Sequence, residues 1–329
     1  MSEDVQVQEE TQFSVRTAPW MKLGQLVDTP VTAKEAAKLG GLDFEVELLD
    51  VGYHRGFIDG TAIPASFRQI DKRRAVVARD NGQFMGFVSS SKYNMLQYGD
   101  AFDFMDHLGA PYVAAGALRH RRQGFMVVKP HIDLTQALDS FTRMEDPHEM
   151  YVTLRTSHDC TRGVEVMVMP LRGRCMNQLT LRSFAKGVPH RWSIKHTSTM
   201  HEKLKEAQNS LKNFGLYATQ FDKLATRMVE TQIDVAKATD LLKIVIPRPR
   251  VQTERVENQY ADRINAIIDL WQNSPTVAYA GTGWGLVNAL SEHYDWYRAG
   301  GTPESRFLNA LEGETHKRIN ALAGLVLAS

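Results

Sequence analysis

Cysteine is scarce in this sequence: Cys160 and Cys175 are the two in 329 residues. That excludes a disulfide framework and points to a reducing compartment. Long apolar runs are missing as well, since no stretch approaches the roughly 20 residues a spanning helix needs. An excess of positive charge is also absent. With 39 Lys and Arg against 38 Asp and Glu the net charge is +1, which excludes a globally basic binder. Any nucleic-acid surface must then be a local patch. The opening "MSEDVQVQEETQFS" lacks the basic-then-apolar order of a secretion signal. These absences lead us to expect a cytoplasmic protein that makes no use of a membrane.

What is present is average globular material, 43% hydrophobic and 23% charged, enough for a substantial core. Residues 1–18 read as a disordered acidic tail with little to bury. In "TPVTAKEAAKLGGL", Thr32 is an N-cap, Glu35 completes a capping box, and Gly40 and Gly41 stop a short helix. "FEVELLDV" alternates as a strand. Asp80-Asn81-Gly82 sits between two β-rich runs and marks a hairpin. "GDAFDFMDHLG" follows as a short amphipathic helix. A second hairpin carries Arg119, His120, Arg121 and Arg122 at its turn, and a third turns at Asp159 to Gly163.

From Met200 to Glu230 the apolar residues fall on a heptad grid, Leu204, Leu211, Ala218 and Ala225 on one line and Ala207, Phe214, Phe221 and Met228 on the other. This predicts a long helix whose seam packs on the parent domain or on another helix of an oligomer. Pro247 and Pro249 break it. Beyond them Val256, Tyr260, Ile264, Ile267 and Trp271 form one helical face, and Thr302-Pro303 starts another helix. The expected fold class is therefore α+β: an antiparallel hairpin sheet with short helices, then a long helix and a small helical C-terminal region. The expected boundaries are a tail 1–18, an α+β body 19–198, a long helical segment 199–246, a linker 247–258 and a helical region 259–329.

The run Arg155 to Ser183 holds the densest chemistry. Ser157-His158-Asp159 is not a triad as it stands, because adjacent side chains point apart. Cys175 could act as a nucleophile with His158 or His196 as base, although a buried, inert cysteine is the more ordinary state. His158, Asp159, Cys160 and Cys175 lack the paired spacing of structural zinc, so no metal and no cofactor are expected. "GTGWG" lacks the Lys-Ser/Thr ending of a phosphate loop and reads as a helix start. Positive charge, by contrast, is concentrated. Arg155 to Lys195 holds eight Lys and Arg (Arg155, Arg162, Arg172, Arg174, Arg182, Lys186, Arg191, Lys195) against Asp159 and Glu165. Arg68, Lys72, Arg73 and Arg74 add a second run. Tyr93, Tyr98, Phe125 and Trp192 are candidates to stack on unpaired bases.

"APWMKLG", "TSHDCTRGVEVMVMPLRGRCMNQLTLRS", "WSIKHTSTMHEKLKEA" and "GTGWGLVNALSEHYDWY" resemble the phage/plasmid-like protein family, a family of unknown function numbered 932. The likeness runs in order from about Ala18 onward. The family's polar turn is Asn/Ser-His-Asp-Gly-Ser, and this chain has Cys160-Thr161 in place of Gly-Ser. It also has Lys195 where Arg is usual. The resemblance implies mobile-element biology in a bacterial host and carries no activity. A basic body followed by helices is also similar in outline to phage single-strand annealing recombinases. The resulting expectation is a DNA-binding protein of recombination or replication that holds single-stranded DNA, in a homo-oligomer. Arg119, Arg121, Arg122, Arg155, Arg172, Arg174 and Lys195 would contact phosphates, while His158, Asp159, Asn177 and His196 would fix the turn or touch bases. The alternatives are an enzyme gathering His158, Asp159, Arg172, Cys175, Asn177 and His196 around nucleic acid or nucleotide, and a non-catalytic interaction protein that uses the helical seam against a host factor.

Overall fold

Local signals decide where most elements begin. In the computed structural model, Thr32 caps helix α1 (Ala33–Leu39) through the Glu35 amide while Glu35 accepts from the Thr32 amide. The described residues are 25–26, 32–54, 57–58, 61–62, 67–106, 109–130, 146, 148–172, 181, 191–211, 214–251, 253–277, 279–297 and 302–329. The acidic stretch 1–18 lies outside them. Asp80-Asn81-Gly82 does close a hairpin, with Gly82 at φ +72, between β5 (Phe67–Ala78) and β6 (Phe84–Ser89). With β2 (Val46–His54) these strands form a three-stranded sheet in the order β2-β5-β6. The short pair β3 (Phe57–Ile58) and β4 (Thr61–Ala62) lies between β2 and β5 in the chain. Residues 67–73 of β5 are exposed throughout. That stretch, with Arg68, Lys72 and Arg73, is an uncovered basic arm.

Helix α2 (Tyr98–Asp106) precedes β7 (Tyr112–Leu118) and β8 (Gln123–Val128). Strands β9 (His148–Ser157), β10 (Val164–Arg172) and β11 (Arg191–Ile194) follow. They form an antiparallel six-stranded sheet in the order β1-β7-β8-β9-β10-β11, where β1 is Gln25–Leu26. The period-2 alternation of a strand sorts β10 cleanly between two cores. Val164, Val166 and Val168 join a large cluster reaching from Ala33 of α1 to Val326, whereas Met167, Met169 and Leu171 face a smaller one with Phe307 and Leu311. Both faces of the sheet are thus covered, which is why β9 and β10 are buried along nearly their whole length.

The expected long helix is divided into α3 (Met200–Leu211), α4 (Phe214–Glu230) and α5 (Val235–Val245). The division after α4 has a clear cause: Gln232 bridges to Thr282, and Asp234 caps α5 through the Lys237 amide. The seam residues Leu204, Ala207, Ala218, Phe221, Ala225 and Met228 are buried in the large intramolecular cluster. Packing on the parent domain therefore occupies the seam, and it is no free surface for a partner helix. Irregular chain around Pro247 and Pro249 leads to α6 (Glu254–Asn273), which turns Ile264, Ile267 and Trp271 inward. Helix α7 (Gly283–Glu292) is capped by Thr282 and runs into a π-helical turn, His293–Tyr297. Helices α8 (Pro303–Leu311, capped by Thr302) and α9 (Glu314–Leu327) complete the fold. Glycine in "GTGWG" serves packing: a Cβ on Gly283 would lie 2.1 Å from Val326, and one on Gly285 would lie 2.2 Å from the Tyr279 carbonyl oxygen. The architecture is α+β, as the hairpin pattern leads one to expect.

Candidate nucleic-acid interface

Three hairpin turns meet at one corner of the molecule. They are the Asp80 turn, the Arg119–Arg122 turn and the loop from Ser157 to Gly163. The middle turn has three consecutive non-glycine residues in the left-handed region, Arg119 (φ 50), His120 (φ 55) and Arg121 (φ 68). Such backbone costs on the order of 1 kcal/mol or more per residue and persists only where neighbours hold it. Here they do. The His120 carbonyl accepts from Gln83 Nε2 at 2.7 Å, the Arg121 carbonyl from the Tyr98 hydroxyl at 3.0 Å, and the Arg122 carbonyl from the His158 amide at 2.9 Å. From the far side, the Arg119 amide donates to Glu304 of α8 at 2.8 Å. With every carbonyl turned inward to a donor, Arg119, His120 and Arg122 are left exposed on a cleft of about 570 Å³. Arg121 is spent locally: it pairs with Asp80 at 2.6 Å and lies 3.8 Å over the Phe44 ring.

The Ser157–Gly163 loop is a built turn whose three lead residues do separate jobs. Ser157 Oγ bonds both backbone groups of Arg162 at 3.0 Å. Asp159 Oδ1 accepts from the Thr161 amide at 2.9 Å and from its hydroxyl at 2.5 Å. His158 is buried, its ring centroid 4.0 Å from that of Tyr98 and tilted by 40° to it. Burial pulls its pKa down to about 3, so it is neutral at physiological pH. The tripeptide is not a triad, for the reason its spacing gives. Cys160 is exposed at φ 60, the left-handed conformation that favours glycine, which is the residue the resembling family usually has there. Its thiol is pushed up by burial and by Asp159, the opposite of an activated nucleophile.

Other predicted residues go elsewhere. Arg155, 1% exposed, pairs with Glu165 at 2.5 Å and Glu312 at 2.6 Å. Arg162 and Arg191 bind the same two carboxylates, closing a cluster of three arginines and two glutamates between the sheet and the α8–α9 junction, with Arg155 and Glu165 buried and Arg162, Arg191 and Glu312 partly exposed. Arg172 is fully buried. It pairs with Asp146 at 2.7 Å and donates to the Thr276 carbonyl at 2.6 Å, while Trp284 Nε1 also donates to Asp146 at 2.7 Å. Phosphate contact by Arg155 and Arg172 is accordingly corrected: both guanidiniums have internal partners and no path to solvent. Arg172 also lies roughly 26 Å from Val164 along β10, at about 3.3 Å per residue, too far to join His158 in one pocket. Arg174, Arg182, Lys186, Cys175 and Asn177 lie outside the described residues. Lys195 is exposed, and His196 is buried with its Nε2 3.2 Å from Thr156 Oγ1. Both line a second cleft, of about 520 Å³, on the other side of the Ser157–Gly163 loop.

The aromatic candidates need correction as well. Tyr98 and Phe125 are fully buried and cannot stack on a base. The sequence reading missed Phe84 and Phe87, which are 40% and 53% exposed, with ring centroids 4.7 Å apart, in the same cleft as Arg119 and Arg122. The available signal was local: Phe84 and Met85 are adjacent in a strand, so both cannot face the core. A bulge between Val76 and Val77 opposite them sets which one does. No group of three or more His, Cys, Asp and Glu suited to a metal exists among the described residues. Among the same residues no helix is long and apolar enough to cross a membrane.

Residues 86–320 match the family model described as Domain of unknown function (DUF932). No curated protein and no solved structure matches the chain.

Proposed function

The chain belongs to this family, whose description names no activity, and from the corner where its turns meet we propose that it binds single-stranded nucleic acid, with DNA favoured. The observation that carries the reading is the pair of exposed rings, Phe84 and Phe87, set in one cleft with Arg119 and Arg122. A large exposed aromatic pair costs a soluble protein burial energy, and stacked bases are flat partners that recover it at about 1–3 kcal/mol per base. Arginines beside the rings would take the phosphates. Lys195 and Lys92 continue the basic track across Thr161, and the exposed arm with Arg68, Lys72 and Arg73 extends it. A local track of this kind suits a protein whose net charge is only +1. In this reading the protein holds strands during recombination or replication of a mobile element and anneals them as a homo-oligomer, without a cofactor.

The test is fluorescence anisotropy with single-stranded DNA, duplex DNA and RNA over a salt series. Single strands should bind best and with steep salt dependence. Arg119→Ala/Arg122→Ala should reduce the logarithmic salt slope by about 1.4, two phosphates at about 0.7 each. Phe84→Ala/Phe87→Ala should weaken binding at least fivefold, with little change in that slope. Unchanged affinity in both double variants would refute the assignment.

A further inference from the structure

Besides Lys92 and Lys195, which the strand-binding reading already uses, the second cleft has polar groups that this reading leaves without a role. It lies between the loop after β6, the Ser157–Gly163 loop and the end of β11, and its walls are fixed. The Asn94 amide donates to the His196 carbonyl at 3.1 Å, and Gly163 packs so closely that a Cβ there would fall 2.0 Å from the Ile194 carbonyl oxygen. Three buried polar atoms on its lining residues have no hydrogen-bond partner: the Tyr93 hydroxyl, His196 Nδ1 and Arg162 Nε. A buried polar atom left unpaired costs about 1–3 kcal/mol, which a ligand would recover where a small side-chain movement brings the Tyr93 hydroxyl and His196 Nδ1 to the cleft.

Charge narrows the ligand. Lys92 and Lys195 are exposed at the rim, while the one lining carboxylate among the described residues, Glu165, is held by Arg155 and Arg191 and does not present a free negative charge. His196 is 7% exposed, and burial lowers its pKa to about 4, so it is a neutral hydrogen-bonding group at physiological pH. Burial raises the Tyr93 hydroxyl, which stays protonated and able to donate. Two cations and neutral donors fit a phosphate monoester. At about 520 Å³ the cleft is far larger than a bare phosphate and falls within the range of small-molecule sites, so the phosphate should carry an organic body.

We propose that this cleft binds the 5′-monophosphate of a nucleotide, with Lys92 and Lys195 on the phosphate and Tyr93 and His196 as hydrogen-bonding contacts. The nucleotide is either free or the 5′ end of a strand. In the second case the proposal rests on the strand-binding reading, and in the first it stands apart from it. Among the described residues, Thr161 is the one that the two clefts share.

Calorimetry with deoxyadenosine 5′-monophosphate, deoxyadenosine and inorganic phosphate tests the free form. Oligothymidylates with and without a 5′-phosphate test the strand end. Cys160 lines the cleft, so its rate of maleimide labelling, read by peptide mass spectrometry, reports occupancy. Expected is binding of the mononucleotide or at least tenfold tighter binding of the 5′-phosphorylated strand, each slowing Cys160 labelling. Lys92→Ala/Lys195→Ala should weaken it at least tenfold, and Tyr93→Phe, which removes only the hydroxyl, about fivefold, in proteins whose melting is unchanged. Phe84→Ala/Phe87→Ala should leave mononucleotide binding intact, so failure of the strand reading is distinguishable. The proposal is overturned if neither phosphorylated probe binds, if inorganic phosphate binds as well as the mononucleotide, or if binding survives both cleft variants.

Discussion

Replacing Glu312 by Gln puts the half-buried charge cluster to a quantitative test. Arg155, Arg162 and Arg191 share Glu165 and Glu312, so the cluster carries three positive and two negative charges. The substitution keeps the shape and leaves one carboxylate for three guanidiniums. Arg155 Nη2 loses one of its two carboxylate partners, and Arg162 keeps only Glu165 at 3.5 Å. At an effective dielectric near 20 each close pair is worth about 4 kcal/mol before desolvation. Freeing the Glu312 carboxylate from its desolvation cost returns part of that, and breaking a buried pair typically costs about 3–5 kcal/mol net. Glu312 retains 15% side-chain exposure, which places the expected loss at the lower end, about 3 kcal/mol. In a chain of 329 residues that corresponds to a fall in Tm of about 4 °C. Denaturant unfolding followed by far-UV circular dichroism measures it, and a cycle with Arg155→Met should give a coupling of at least about 1 kcal/mol. A loss under about 0.5 kcal/mol, or additive effects in the cycle, would refute the view that this cluster ties the sheet to the α8–α9 junction.

Further outcomes follow from the same geometry. Cys160→Gly should stabilise the protein by about 1 kcal/mol, because Cys160 holds a left-handed φ that glycine adopts without penalty. Cys160→Ala should give no such gain, and a glycine variant that melts below wild type would refute the account. His148, His158 and His196 are buried with pKa values lowered to about 4, 3 and 4 from an ordinary 6.5. The unfolded chain therefore binds protons that the folded one refuses. Their stability cost is absent above pH 6.5 and grows as pH falls toward 4, by about 1 kcal/mol for each histidine at pH 5.5. Urea midpoints measured from pH 7.5 to 5 should fall steadily below 6.5, and a flat profile there would show that these rings are solvated.

Much of the fold is legible in the sequence because its signals are local. The Thr32 capping box, the Asp80-Asn81-Gly82 turn and the Thr302-Pro303 start each need only a few neighbouring residues, and each lies where the sequence places it. The corner itself was legible only in parts. The Arg119–Arg122 turn is evident in the sequence as a basic hairpin, yet its meeting with Asp159 and Glu304 is a product of long-range packing. Counting arginines treats them all as surface groups, and Arg155 and Arg172 show why that fails. Their partners Glu312 and Asp146 lie 157 and 26 residues away, and only folding reveals the pairing. The heptad line from Leu204 to Met228 is real periodicity, but periodicity does not say whether the covering partner is another chain or the same one. Here it is the same one.

Glu304 and Glu312, which reach back from the C-terminal helices to the Arg119 turn and to Arg155, impose an order in time as well as in space. During synthesis at roughly 5–20 residues per second, the 157 residues between Arg155 and Glu312 take about 8–30 s to appear. Once β10 has been made it can pair with β9, but until Glu304 and Glu312 follow, Arg155 has only Glu165 of its two carboxylates and the Arg119 amide lacks Glu304. The sheet is thus laid down with its charges unbalanced and its corner unbraced. Both are completed only after Glu304 and Glu312 have been made, so the last braces of the corner come from the C-terminal helices.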